Sequence, residues 1–140
     1  MNNLASQLER DEGFVGYAYT DSLGYLTIGF GRLVDKSKGG GITRDEARYL
    51  LKNDISRCAA EVESALPWTR LLDDARHGVL VNMAFNLGVG GLLGFRKFLK
   101  ALEARDFVSA AVEMMDSQWA KQVCARATRL RDQILTGEWQ

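Results

Sequence analysis

Apolar residues in this chain recur mostly at helical spacing, and the pattern breaks once, at Glu12–Gly31, EGFVGYAYTDSLGYLTIGFG. Tyr17 and Tyr19 alternate there with small or polar residues, Ser22-Leu23-Gly24 makes a turn, and Tyr25–Phe30 resumes a β-rich composition. The stretch predicts an antiparallel β-hairpin, with a third short strand near Arg32–Val34 and a flexible loop at Lys36–Gly41. A helical chain that gives up a run of this length to a hairpin must fold around it.

The flanks read as helices. Leu4, Ala5 and Leu8 space a short one over residues 3–12. Thr43 opens the next in a Thr-Arg-Asp-Glu capping box with Glu46. Ala47, Leu50, Leu51, Ile55, Ala59 and Val62 carry it to about residue 64, and the only proline, Pro67, marks a break. Leu72, Ala75, Val79, Leu80, Met83, Ala84 and Leu87 form a wide apolar stripe, the mark of a buried central helix ended by the glycines of Asn86–Gly91. Three or four shorter helices follow, roughly at 95–104, 106–116 and 124–135, with Phe98, Leu102, Phe107, Ala111, Met114, Leu130 and Ile134 facing inward. The predicted fold is α+β and mostly helical, in a single domain of 1–140. It has a β-rich lobe at 13–42, a connecting helix at 43–64 and a larger helical lobe from 1–12 and 65–140.

Composition excludes several function classes. With 18 basic residues against 18 acidic, the chain lacks the basic surplus of a nucleic-acid binder. No apolar run approaches the roughly 18 residues of a membrane span, and Met1–Gly13 does not read as a secretory signal. Cys58 and Cys124, far apart in such a chain, read as free, buried thiols. His77 is the only histidine and has no Cys or His at ligand spacing, so it reads as structural and no metal is expected. Gly29–Val34 is no dinucleotide motif, because no helix and ribose-binding acid follow it, and no cofactor is expected. Charge is uneven: Glu9, Asp11, Glu12 and Asp21 face only Arg10 near the start, while residues 118–140 carry Lys121, Arg126, Arg129 and Arg131 against Asp132 and Glu138. That polarity suits docking of the two ends or orientation of an anionic polymer.

Glu12 and Asp21 flank the first strand of the hairpin, and Thr27 lies on the return strand. Two carboxylates on different elements with a hydroxyl between them suit glycoside hydrolysis. One carboxyl donates a proton to the leaving oxygen and the other stays ionised beside a water. Spacing alone leaves surface or capping carboxylates as the alternative.

The run RDEGFVGYAYTDSLGYLTIGFGRL resembles the signature of phage-type lysozymes, the muramidase endolysins. ITRDEARYLLKND is similar to the family's long connecting helix and NMAFNLGVGGLLGF to its central helix and following turn. SQWAKQVCARATRLRDQILTGEW is similar to its C-terminal helices. The resemblance implies a two-lobed lysozyme-like fold with a Glu12, Asp21, Thr27 triad. Glu12 would be the general acid, and Asp21 with Thr27 would hold the attacking water. The implied reaction is hydrolysis, with inversion, of the β-1,4 bond between N-acetylmuramic acid and N-acetylglucosamine in peptidoglycan. It also implies saccharide contacts from Leu33, Phe85 and Asn86, although core packing explains Phe85 as well and Asn86 could cap its helix near Gly88. Arg126 and Arg129, three apart on one helix face, would support Glu12 and Asp11. Arg32 stands where the family often has His, with Asp54 its expected partner, and Phe98 and Glu113 replace further cleft residues. A monomeric host-lysis enzyme is implied, with no stable membrane association, which accumulates in the bacterial cytoplasm and reaches the wall through a holin. A lytic transglycosylase and an inactive wall-binding homologue are the alternatives; the water-holding Asp21–Thr27 pair argues against the first.

Overall fold

The computed structural model describes residues 2–140, main chain only at Asn2. Helix α1 spans Asn2–Glu12, and Gly13, at φ +70°, donates its N–H to Glu9 O at 3.0 Å to close it. Strands β1 (Val15–Thr20), β2 (Leu26–Gly29) and β3 (Arg32–Leu33) form an antiparallel sheet in the order β1-β2-β3. Central β2 sets Thr27 opposite Tyr19 on one side and Leu33 on the other. Pairing is irregular between Val15 and Tyr19, where Gly16 leaves room for the Phe14 ring; that ring stacks in turn on Phe30 with centroids 5.4 Å apart.

Asp35 and Ser37 order what the sequence presented as a flexible loop. Asp35 Oδ1 accepts from the Ser37 N–H at 2.8 Å and caps a 3₁₀ turn at Lys36–Lys38. Helix α2 (Arg44–Ala65) begins with the expected capping box: Glu46 N–H donates to Thr43 Oγ1 at 3.2 Å, and Thr43 N–H donates to Glu46 Oε2 at 2.7 Å. A 3₁₀ turn at Pro67–Leu71 leads into α3 (Asp74–Leu93), α4 (Arg96–Glu103), α5 (Phe107–Met115), α6 (Gln118–Val123) and α7 (Ala125–Thr136). The chain separates within α2 into two compact units, one through Leu50 and one from Leu51 to Gln140.

In the second unit the predicted stripe is the core. Val62, Val79, Leu80, Met83, Leu92, Phe98, Leu102, Met114 and Ile134 are all but inaccessible to solvent. Each such side chain contributes roughly 1.5–3 kcal/mol by leaving water. The polar clamps around this core join distant parts of the chain. Arg76 Nε donates to Ile134 O at 2.7 Å while its guanidinium lies over the Phe107 ring at 3.6 Å. Buried Gln133 donates to Ala75 O at 2.7 Å.

Two expectations are corrected in this unit, the end of α3 and the burial of Cys124. The glycines of Asn86–Gly91 kink α3 rather than end it: Gly88 takes φ +76°, ψ 159°, a conformation open to glycine alone, and helix resumes to Leu93. The fourth of the expected shorter helices, α6, begins at Ser117, whose Oγ accepts from the Ala120 N–H at 3.1 Å. Cys124 is exposed rather than buried, because it occupies the joint between α6 and α7 at φ +32°.

Candidate active site

The sequence candidates Glu12, Asp21 and Thr27 all lie in the first unit, Glu12 at the end of α1, Asp21 just after β1 and Thr27 on β2. Asp21 is the first residue after β1, and its turn is built on its own carboxylate. Oδ1 accepts from the Leu23 N–H at 2.9 Å and from the Tyr25 N–H at 2.8 Å. The main chain completes the loop, with Asp21 N–H donating to Tyr25 O at 2.8 Å. Oδ2 takes no hydrogen bond among the described residues.

Thr27 joins the same node. Its hydroxyl donates to Tyr25 O at 3.0 Å, so one carbonyl accepts from both the Asp21 amide and the Thr27 hydroxyl. Thr27 is 2% exposed, in a sheet where nearly every other side chain is at least partly open, and its register between Tyr19 and Leu33 fixes it there. With its proton committed to Tyr25 O, Oγ1 faces any approaching water as an acceptor only.

Glu12 ends α1 beside the turn from β2 to β3. Within residues 2–50 no hydrogen bond or ion pair engages its carboxylate. What lies against it is Gly31: a Cβ at that position would stand 2.5 Å from Glu12 Oε2 and 2.9 Å from Cδ. Gly31 itself has φ +71°.

Arg32 is neutralised close to home. Its guanidinium forks onto Glu46, Nη2 to Oε1 at 2.8 Å and Nη1 to Oε2 at 3.3 Å, and Nη1 also reaches Gly41 O at 3.3 Å. The expected partner Asp54 instead meets Arg57 at 3.0 Å on its own helix. A bidentate fork onto a carboxylate already fixed by the capping box costs less ordering than reaching for a free side chain. The Thr43 N–H first, and the Arg32 charge with it, hold the Glu46 carboxyl below its ordinary range.

Among the other candidates in the first unit, Leu33 is half-buried on β3, and Asp11 sits 3.9 Å from neighbouring Arg10. In the second unit Phe85 lines a groove of about 570 Å³ together with Leu51, Ile55, Val81 and Trp139. Asn86 does not cap its helix; its Oδ1 accepts from the Trp119 indole N–H at 2.8 Å, which turns the amide NH₂ away from that ring. Arg126 Nε donates to Asn82 Oδ1 at 2.8 Å and Nη2 to Asn82 O at 3.2 Å. Arg129 is exposed on α7. His77 places Nε2 at 3.3 Å from Glu63 Oε1, without hydrogen-bond geometry. Sequence reading missed Tyr25 and Asn82, whose parts in these clusters are played through main-chain atoms and a long-range amide.

An α+β chain, mostly helical, with a small three-stranded antiparallel sheet and a helical unit following it, falls in the lysozyme-like class. Comparison with known proteins settles the family: a family model described as phage lysozyme matches residues 9–133, and the chain belongs to that family. It is 32% identical to the pre-baseplate central spike protein Gp5 of Enterobacteria phage T4, in an alignment covering 96% of this chain and 28% of that much longer protein. It is 29% identical to probable T4-type lysozyme 1 of Dictyostelium discoideum, over 98% of this chain and 96% of the relative. An endolysin of Acyrthosiphon pisum secondary endosymbiont phage 1 is 28% identical over 81% of this chain and 75% of its own. The family carries a chemical class with it: a lysozyme-type hydrolase of the cell wall, a glycoside hydrolase whose substrate is peptidoglycan.

Proposed function

We propose that this chain is a muramidase endolysin that hydrolyses the β-1,4 bond between N-acetylmuramic acid and N-acetylglucosamine with inversion at the anomeric carbon. The single observation that carries the reading is the Tyr25 carbonyl shared by the Asp21 amide and the Thr27 hydroxyl. It leaves Asp21 Oδ2 and the Thr27 oxygen as two acceptors for the hydrogens of one water. That water's lone pair is then free to attack.

Glu12 supplies the proton. As the bond from C1 to the glycosidic oxygen breaks, its carboxylic acid protonates the leaving oxygen, while the Asp21 carboxylate stabilises the developing oxocarbenium charge. Water adds to C1 from the opposite face and gives its proton to Asp21. Removing either carboxylate should cost about 10²–10⁴-fold in rate. The substrate contacts of Leu33, Phe85 and Asn86 and the supporting roles of Arg126, Arg129 and Asp11 belong to the same proposal. With its Oδ1 taken by Trp119, Asn86 has its NH₂ to offer an N-acetyl carbonyl.

Host lysis at the end of a phage cycle, accumulation in the bacterial cytoplasm, holin-dependent access to the wall and action as a monomer complete the reading, supported by the likeness to a phage endolysin. A zymogram with Glu12→Gln beside the parent tests it. Clearing by the parent and none by the variant is expected; equal clearing removes Glu12 from the acid's role.

A further inference from the structure

We infer that Gly31 is a positioning residue for the reaction, and that the bare face of its backbone is the seat of the Glu12 carboxyl. The inference rests on the assignment of Glu12 as the acid and adds what holds that acid in place.

A general acid must be fixed in direction as well as present, since a misplacement of about 1 Å can cost on the order of 10²-fold in rate. Glu12 stands at the last position of α1, where a long side chain has rotamers to spare. Among the described residues of its unit no donor or cation holds it. Its whole terminal group lies instead along Gly31: a Cβ there would stand 2.5 Å from Oε2, 2.9 Å from Cδ and 3.3 Å from Cγ. The first two are closer than a side-chain carbon tolerates, so any L side chain at 31 must turn the carboxyl away. The acid is seated by the absence of a side chain opposite it.

Gly31 also has φ +71°, and a backbone need alone would explain a glycine. Gly29 separates the two explanations. It has the same φ, +71°, two residues away in the same turn, yet a Cβ there meets nothing within 4 Å. Alanine at either site carries the same left-handed strain, and only alanine at 31 reaches the carboxyl.

The test compares the parent, Gly29→Ala, Gly31→Ala and Glu12→Gln, measuring kcat and KM on soluble peptidoglycan chains and the thermal midpoint of each. The expected result is equal loss of thermal midpoint in both glycine variants. Gly29→Ala should keep the parent's kcat. Gly31→Ala should lose kcat by on the order of 10²-fold with KM unchanged. A version carrying alanine of D configuration at 31, which suits positive φ and points its methyl to the other side of the chain, should recover kcat. If Glu12→Gln is inactive but Gly31→Ala keeps the kcat of Gly29→Ala, or the D-alanine version stays as slow as the L, the positioning role is wrong and the acid stands. If Glu12→Gln turns over normally, the acid assignment falls and the positioning role falls with it.

Discussion

Asp21 divides two duties between its two oxygens, and substitution can separate them. Oδ1 holds the hairpin turn through the Leu23 and Tyr25 N–H groups at 2.9 and 2.8 Å; Oδ2 is the oxygen left for water. Hydrogen bonds of this kind contribute about 0.5–1.5 kcal/mol each, so Asp21→Ala should loosen the turn by roughly 1–3 kcal/mol. Asp21→Asn retains an acceptor oxygen for the same two N–H groups and should loosen it by less than about 1 kcal/mol. For catalysis the two variants are equivalent, because an amide NH₂ in place of Oδ2 donates where an acceptor is needed, and a methyl offers nothing. Both should lose about 10²–10⁴-fold, or about 3–5 kcal/mol of barrier. Amide exchange at Leu23 and Tyr25 reads the turn, and clearing of a cell-wall suspension reads the reaction. Fast exchange in the alanine variant only, with activity lost in both, is the expected pattern. An active Asp21→Asn would refute the water-holding role, and equally fast exchange in both variants would refute the division between the oxygens.

Two further outcomes follow from the second unit. Asp73 caps α3, its Oδ1 accepting from the Arg76 N–H at 2.9 Å and its Oδ2 meeting Arg76 Nη1 at 3.0 Å. Burial pushes this carboxyl up, but the bonds and charge of Arg76 outweigh it and hold the group below its ordinary range. A lowered folded value means that the stabilisation is present above the unfolded pKa near 3.9 and is lost as pH falls through the folded value. Asp73→Ala should cost about 1 kcal/mol at neutral pH; Asp73→Asn should keep the cap and flatten that acid loss, as urea titrations at pH 7 and pH 3 would register. For the thiols, burial and then the charge of Glu61 push Cys58 up, with Arg57 opposing, while Cys124 is exposed. A thiol reagent at pH 8 should label one cysteine quickly and the second only in denaturant; two fast thiols would contradict the burial of Cys58.

Local chemistry made much of this molecule legible. Alternating tyrosines and a Ser-Leu-Gly turn announced the hairpin, Thr43 and Glu46 announced the start of α2, and the stripe from Leu72 to Leu87 announced the core, because each signal lies within a few residues. Choices of partner were less visible. Arg32 was expected to meet Asp54, and it forks onto Glu46, which the capping box also holds. Asn86 with Trp119 and Asn82 with Arg126 join residues 33 and 44 positions apart, a distance at which periodicity carries no information. Gly88 shows a further limit: glycine marks where a backbone departs from helix, and packing decides whether the helix then stops or resumes. At the candidate site the side chains were legible and the Tyr25 carbonyl was not, since any residue supplies a carbonyl.

The central claim is that one water, held on the far side of the sugar, replaces the leaving oxygen. Proton NMR of soluble peptidoglycan during the first turnovers reads this directly from the new reducing end. A β-linked substrate cleaved with inversion must yield the α-anomer of N-acetylmuramic acid first, relaxing to the mixture only by mutarotation. A first product in the β form, or a 1,6-anhydro end lacking one water, would contradict it.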